Sequence, residues 1–411
     1  MEELLETLSV EGRSLSAFLS TTQTHDDWDR FLQSSPLGQF QQAGAWAACK
    51  AGDGWETIRV VIRDGATVCA GFQLIVRRTR FGRIGYLNKG PVIPLASGQS
   101  ALAAFVVKQF RESARRSGLL VVIVQAPDAG PQIADLMSRN GLLDLGLSFI
   151  IEATQTVCVA APAAGDWREG VRKTTQRHVR RALKGGVTIR EGNAGDLPLF
   201  FELMRETCRR QGVAPNPASL KALQDLWTAF AAVGKARMTF AMHGGEELAA
   251  LLCFRFGNRV TFWKKGWNSK GLKLYPNELI FYEALEWTER VGCELADFVG
   301  MDPDIARANI ENRPVTSAQI ATRYWFLTGF GGTSQILPHA QLYFPNAFFR
   351  FLYARARPIL VWLERWKKNR AHRSTRQAPT PSTSDSVEGR DEVPPEPKER
   401  TGRGPASVDS E

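Results

Sequence analysis

A chain of 411 residues, 44% of them hydrophobic, can bury more than one core, and two domains are the natural expectation. The acidic start Met1–Val10 carries no basic leader region, which argues against a secretory signal, and no apolar run approaches the ~20 residues that span a bilayer. Six cysteines and five histidines lie scattered without pairing or ligand spacing, so reduced thiols in a cytoplasmic protein and no metal are expected. The net charge of +10 is concentrated: Arg168–Arg190 and Arg350–Arg373 each hold eight Lys/Arg against one Glu. Clustered charge of this kind speaks of partners such as nucleic acid or an anionic surface.

In chain order, residues 1–25 are weakly patterned and read as a peripheral N-terminus. Strands follow at Thr57–Ile62, Val68–Arg77 and Arg83–Leu87, the first pair joined by the turn dipeptide Asp64-Gly65. Ala101–Arg116 is a helix stopped at Gly118, and Leu119–Val124 is a short apolar run that fits a buried strand. Asp166–Gly185 is a basic helix with Val171, Thr175, Val179 and Leu183 on one face. Arg172, Lys173, Arg177, Arg180, Arg181 and Lys184 occupy the rest, a patch for phosphate or nucleic acid.

The same succession then returns. Ala236–His243 turns at Gly244-Gly245 into Leu248–Phe256, and Gly257-Asn258 leads to Val260–Trp267. Pro276 opens a helix that Gly292 stops, and Leu295–Val299 is another buried strand. Tyr324–Phe330 and Ile336–Phe344 read as the closing strands of the second sheet. Phe348–Trp366 is aromatic and basic, with Pro358 expected to end one helix and begin another. From about Ser374 to Glu411 almost no apolar residue remains, and a disordered tail is expected.

The hairpin Leu248–Phe256, the run Phe262-Trp263-Lys264-Lys265-Gly266, the helix with its Gly292 stop and the strand Asp297-Phe298-Val299-Gly300 together resemble the acyl-transferring fold of the GNAT superfamily. More closely the chain is similar to the FemAB branch, which includes peptidoglycan bridge-forming enzymes and BioF2-type acetyltransferase domains. Trp28–Val92, with Gln39-Phe40, Trp46 and Gly85-Tyr86…Gly90-Pro91, resembles that family's first domain. The resemblance implies an α+β protein of tandem GNAT-like domains, each a mixed, mostly antiparallel sheet flanked by helices. The expected divisions are 26–160 for the first domain, 161–345 for the second with the active cleft, 346–373 for basic aromatic helices and 374–411 for the tail.

In such a fold the acyl donor lies where two central strands splay, against the start of the following helix. A helix N-terminus offers unpaired N–H groups and partial positive charge to phosphate or an oxyanion. Trp263, Lys264, Lys265, Lys273 and Asn277 are the donor-binding candidates at that junction, and alternation puts Lys265 on the face of Trp263 and Trp267. A spaced-glycine pyrophosphate loop is not visible, since Gly266 and Gly271 stand isolated. Asp297 and Glu283 sit in apolar settings, where a desolvated carboxylate could accept a proton from an attacking amine, or instead anchor an arginine or backbone amides. FemAB enzymes that use aminoacyl-tRNA often carry a lysine directly after an aromatic residue near the last strands, and Leu327 takes that place here.

The reading is an N-acyltransferase moving an acyl or aminoacyl group to an amine of an envelope precursor, a peptide or an amino sugar. No group is bound permanently; acyl-CoA or aminoacyl-tRNA is the co-substrate, with the thioester favoured and tRNA open. A lipid-linked acceptor and inner-membrane contact through 346–373 fit the same picture. The alternative is a non-catalytic scaffold that binds nucleic acid or an envelope-biosynthesis complex.

Overall fold

The computed structural model describes residues 2–10, 12–20, 22–94, 100–146, 151–160 and 165–376. It opens with an antiparallel hairpin, β1 (Glu2–Val10) and β2 (Arg13–Ser20). Helices α1 (Asp26–Ser34) and α2 (Gly44–Gly52) precede strands β3 (Glu56–Asp64), β4 (Thr67–Thr79) and β5 (Gly82–Asn88). Helix α3 (Ser100–Arg116) crosses to β6 (Leu119–Gln125), which runs parallel to β5; α4 (Pro131–Arg139) and β7 (Leu143–Asp144) follow.

The second series begins with β8 (Ala153–Cys158), α5 (Lys173–Lys184), β9 (Thr188–Glu191), α6 (Leu197–Arg210) and α7 (Leu220–Ala231). The meander β10 (Ala236–His243), β11 (Glu246–Phe256) and β12 (Arg259–Trp267) comes next. Helix α8 (Pro276–Arg290) then crosses to β13 (Leu295–Asp297), parallel to β12. The chain closes with α9 (Pro303–Ile310), α10 (Ser317–Ile320), α11 (Arg323–Thr328), β14 (Thr333–Ile336), β15 (Gln341–Tyr343) and α12 (Ala347–Arg376).

The strands form two sheets, ordered β1-β2-β3-β4-β5-β6-β15-β7 and β14-β8-β13-β12-β11-β10-β9. Hairpin, strand, crossover helix and parallel strand recur in both, so the chain is α+β with a repeated GNAT-like architecture. The turns explain the meander: Gly244 and Gly245 both take positive φ (57° and 83°), which glycine adopts without steric cost.

Four placements differ from the sequence reading. The N-terminal stretch forms the sheet's edge hairpin, with Leu15 and Ala17 buried. Tyr324–Phe330, expected as a strand, is mostly helix α11, because that winding buries Leu327 and brings Phe326 and Phe330, four residues apart, together 5.2 Å between centroids. Ile336–Phe344 is divided: β14 pairs with β8 in the second sheet, whereas β15 inserts between β6 and β7 of the first, with Pro338 in the break. Finally, α12 runs unbroken through Pro358. Both Pro358 and Ala354, whose carbonyl the proline leaves unbonded, are exposed, so water can satisfy that oxygen.

The chain divides into the units Met1–Val361 and Trp362–Glu411; the described part of the latter is the end of α12. The expected disordered tail overlaps the helix at Ser374–Arg376, and 377–411 lie outside the described residues. Among the described residues no helix is long and apolar enough to cross a membrane.

Within Met1–Val361 each sheet has its own core, and a third core joins them. There Trp28, Phe40 and Trp46 pack with Phe200, Phe230 and Phe254 of the second series. Beside this apolar seam runs a buried ionic one. Asp128 lies 4% exposed and is held by Lys89, by Arg259 at 3.0 Å and by Gln39 at 2.6 Å. Arg259 also reaches Asp297 at 3.3 Å, so two cations and two anions from both series close on one another.

Burial alone would raise the Asp128 pKa, but the Lys89 and Arg259 charges and the Lys89 and Gln39 hydrogen bonds outweigh it and hold the carboxyl below its usual range. Removing one partner of such a buried set strands the others, so Asp128→Asn should lower stability by about 3–5 kcal/mol at neutral pH. A carboxyl whose folded pKa is depressed stabilises fully above its unfolded value of about 3.9 and loses that contribution as pH falls through the folded value. Urea denaturation from neutral pH to about pH 3 should therefore show the two proteins converging on the acid side. A constant difference would exclude this linkage.

Candidate functional site

Strand β12 builds the site by losing a neighbour. Its first residues, Arg259–Thr261, pair with Leu295–Asp297 of β13, and beyond Thr261 that side of the strand has no β13 partner. At the same level β12 bulges on its other side: Phe262 faces Cys253 and Lys264 faces Leu252, leaving Trp263 as the extra residue. A bulge shifts the alternation by one residue and re-aims the side chains beyond it. Trp263 consequently turns to the shared core and packs on Phe254 at 5.3 Å, with the Lys264 ammonium over its indole. Lys265 goes to the other side, that of Phe262. The expected company of Lys265 with Trp263 is thus corrected by the bulge.

Five phenylalanines, Phe262, Phe281, Phe298, Phe326 and Phe330, fill the base of the opening with ring centroids 5.0–5.7 Å apart. The Lys265 ammonium rests on them, 4.5 Å from the Phe326 ring and 5.3 Å from Phe281. Among the described residues neither Lys264 nor Lys265 has a carboxylate or hydrogen-bond partner for its ammonium. Burial, reinforced by Arg323 and only partly opposed by Glu278, brings the Lys265 pKa down to about 8; burial also lowers that of Lys264.

The N-terminus of α8 meets this opening. Tyr275 takes the left-handed conformation at φ 54° and Pro276 starts the helix, with no side chain capping the first amides. Asn277 Oδ1 is buried without a hydrogen-bond partner. Across the first turn lies α5: His178 stacks flat on Tyr275 at 3.9 Å, and its Nδ1 is 3.1 Å from Glu278. Lys273 is exposed on the turn Ser269–Leu274 that leads into α8. The two nearby glycines serve packing. A Cβ on Gly266 would meet the α6 backbone 2.4 Å from the Met204 amide nitrogen, and one on Gly271 would press Leu248 and Pro276.

Both acidic candidates are held by arginines. Glu283 takes both Nη groups of Arg237 at 3.0 Å and Arg290 at 3.2 Å. Asp297 accepts from Thr154 at 2.5 Å, from the Val299 amide at 3.1 Å and from Arg259. Of the basic patch, Lys173, Arg177, Arg180, Arg181 and Lys184 are exposed along α5, joined by Leu183 while Ala182 is buried in its place. Arg172 instead turns inward onto Trp325. Sequence reasoning missed His178, Arg323 and Phe326; it placed Glu278 in the first helical turn at the site but not its contact with His178.

The opening and the uncapped helix start belong to the second of two sheets built on the same succession of elements. A model of the FemAB family matches residues 23–136, and one described as an acetyltransferase (GNAT) domain matches 169–305. The crystal structure of FemX superposes with a TM-score of 0.69 at 17% identity, over 85% of this chain and 99% of that one. A tandem GNAT protein from the clavulanic acid biosynthesis pathway, without AcCoA, gives 0.46 at 13% identity over 78% and 93%. The structure of L-PGS from Bacillus licheniformis gives 0.43 at 12% over 71% and 84%. No curated protein matches the sequence. The chain is thus FemAB-like over part of its first series and matches a GNAT acetyltransferase domain over part of its second, and both matches indicate a transferase.

The arginine contacts give Glu283 a measurable consequence. Glu283→Gln loses charge-assisted bonds from two partners and should lower stability by about 1.5–3 kcal/mol, read from denaturant midpoints. An unchanged midpoint would release Glu283 from that anchoring role.

Proposed function

We propose that this protein transfers an acyl or aminoacyl group to an amine of a cell-envelope precursor, a peptide or an amino sugar by direct attack of the amine on the acyl carbonyl. The observation that carries the reading is the half-buried Lys265 ammonium, without an anionic partner among the described residues, beside the uncapped start of α8 in an opening between strands. Such an arrangement supplies positive charge where a carbonyl oxygen gains negative charge or a carrier phosphate docks. Lys265 would meet the donor, with Asn277 and Lys273 at the entrance and Trp263 and Lys264 supporting the strand from its other face. His178, oriented through Nδ1 by Glu278, is the group suited to take the amine's proton, while Asp297 and Glu283 anchor arginines.

A thioester such as acyl-CoA is the favoured carrier, since Leu327 faces the core where tRNA-using relatives often hold a lysine. A tRNA carrier is the second reading, favoured by the exposed basic row on α5. The Lys264→Ala, Lys265→Ala double variant should keep its fold and bind acyl-CoA about 10- to 100-fold more weakly, as expected for lost bonds to a charged group. Undiminished affinity would remove the lysines from the donor site. Transfer from charged tRNA, with binding that falls by about 0.7–0.9 log units per contact for each log unit of salt, would replace the thioester as carrier.

An anionic lipid surface is a further partner of this reading. Within Met1–Val361, α12 is fixed on one side by Tyr353 to the Leu145 carbonyl and by Arg357 to Asp144, both at 2.7 Å. Phe348, Phe351, Leu352 and Ile359 stand exposed on the opposite side, with Arg355 among them. Aromatic and aliphatic groups framed by cations suit a negatively charged membrane interface, each basic residue adding about 1 kcal/mol. Full-length protein should sediment with anionic vesicles and less with neutral ones, and Phe351→Ser with Ile359→Ser should reduce recovery. Indifference to lipid charge or to the substitutions would reject the contact.

A further inference from the structure

Arg172 stands apart from the basic row to which its sequence position assigns it. The guanidinium is half-buried, lies over the Trp325 ring at 4.1 Å and donates from Nη2 to Thr328 Oγ1 at 2.8 Å. With Gln155, Asn309, Trp325, Thr328 and Ser334 it lines a cavity of about 370 Å³, within the range of small-molecule sites. No carboxylate reaches it among the described residues, and its Nε and Nη1 have no partner there. Burial of this charge without a counter-ion depresses the arginine's pKa below its ordinary value.

The facing wall is polar and fixed. Asn309 Nδ2 donates to Ser334 Oγ at 2.9 Å, Ser334 donates to Gln155 Oε1 at 2.6 Å, and Gln155 Nε2 donates to the Gly331 carbonyl at 2.7 Å. Each step spends a donor on the wall itself, which sets the shape of the cavity and leaves Arg172 as its charge. The cavity lies on the Trp325 and Thr328 side of α11, whereas Phe326 of the same helix carries Lys265. A guanidinium with uncommitted Nε–H and Nη1–H donors, backed by an indole and opposed by a rigid polar wall, is an arrangement that can receive a planar or tetrahedral oxyanion.

We propose that this cavity is an oxyanion subsite in which Arg172 binds a carboxylate or phosphate group of a small polar ligand. Its assignment to the acceptor, as the place where an amine-bearing peptide or sugar phosphate rests its anionic group, builds on the acyl-transfer reading; the binding itself does not. Trp325 then serves as the platform that keeps the guanidinium aimed.

Calorimetric titration of the full-length protein tests the subsite directly. The probes are an N-acetylated dipeptide with a free C-terminal carboxylate, its C-terminal amide, and inorganic phosphate. At least one anion should bind saturably, the amide more weakly than the acid, and Arg172→Gln should lose about 10- to 100-fold in affinity. Arg172→Lys should fall between, and Lys221→Gln, an exposed residue of α7, should match the unaltered protein. Because Arg172→Gln also frees Thr328, Asn309→Asp supplies a second variant that keeps both Arg172 contacts and puts a repelling charge on the facing wall. It too should weaken binding. The comparison of dipeptide acid with phosphate names which oxyanion the cavity prefers. No saturable binding of either anion up to about 10 mM, equal affinity for acid and amide with no phosphate binding, or unaltered affinity in Arg172→Gln would overturn the proposal. No acyl donor is present in these titrations, so their failure would leave the transfer reading standing.

Discussion

The buried set Lys89, Asp128, Arg259 and Asp297 is the constraint on which the rest of the structure depends. Arg259 is the first residue of β12 and Asp297 the last of β13, so their contact at 3.3 Å spans the short stretch where these strands still run together. Lys89 and Asp128 come from the first series and meet the same arginine. One neutral, closed group of charges therefore ties the sheets to each other and fixes the point from which the strands part. Taking four charges out of water is expensive unless each is paired and hydrogen-bonded, and here each is.

The opening arises from that base by local chemistry. A strand that must leave its parallel neighbour needs a bend, and the bulge at Trp263 supplies it while sending Trp263 to one core and Lys265 to the opening. Gly266 then allows α6 to lie directly on β12, and Thr207 of that helix bonds both the amide and the carbonyl of Trp267. Helix α6 thus holds the outer end of β12 as β13 holds its beginning. Between the two, the strand is free to face α8 and whatever enters there.

Much of this was readable from residue order alone, and the reasons for the remainder are specific. The turns at Gly244-Gly245 and the Pro276–Gly292 punctuation locate the meander and the crossover helix, and through them the junction of Lys264 and Lys265 with α8. A bulge has no such mark. Nothing in Phe262-Trp263-Lys264-Lys265 says which residue is extra, and a single shift exchanges the faces of two lysines. The aromatic run Tyr324–Phe330 has strand-like residues, yet tertiary packing of Phe326, Leu327 and Phe330 winds most of it into helix. Arg172 reads as one member of a basic helix, and only the return of Trp325 and Thr328, more than a hundred and fifty residues later, draws it inward. Asp128 meeting Arg259 is the same kind of event: long-range pairing leaves no periodicity to detect.

The distribution of satisfied and unsatisfied charge says more about function than any single residue does. Where the fold needs rigidity, its ions are matched: Asp128 and Asp297 with Lys89 and Arg259, Glu283 with Arg237 and Arg290. On either side of α11 the pattern reverses: Lys265 and Arg172 lie half-buried against aromatic rings, with no anion in reach among the described residues. An aromatic face returns only part of the hydration that a sheltered cation gives up, about 0.5–2 kcal/mol. The contrast with these paired structural charges is what makes the two open cations the basis of the proposed donor and oxyanion sites. Their position across one short helix makes α11 the divider between the proposed donor side, where Lys265 meets the start of α8, and the proposed oxyanion side. Displacing α11 would disturb both cations at once, which ties the geometry of the two sides to the packing of Phe326, Leu327 and Phe330 beneath them.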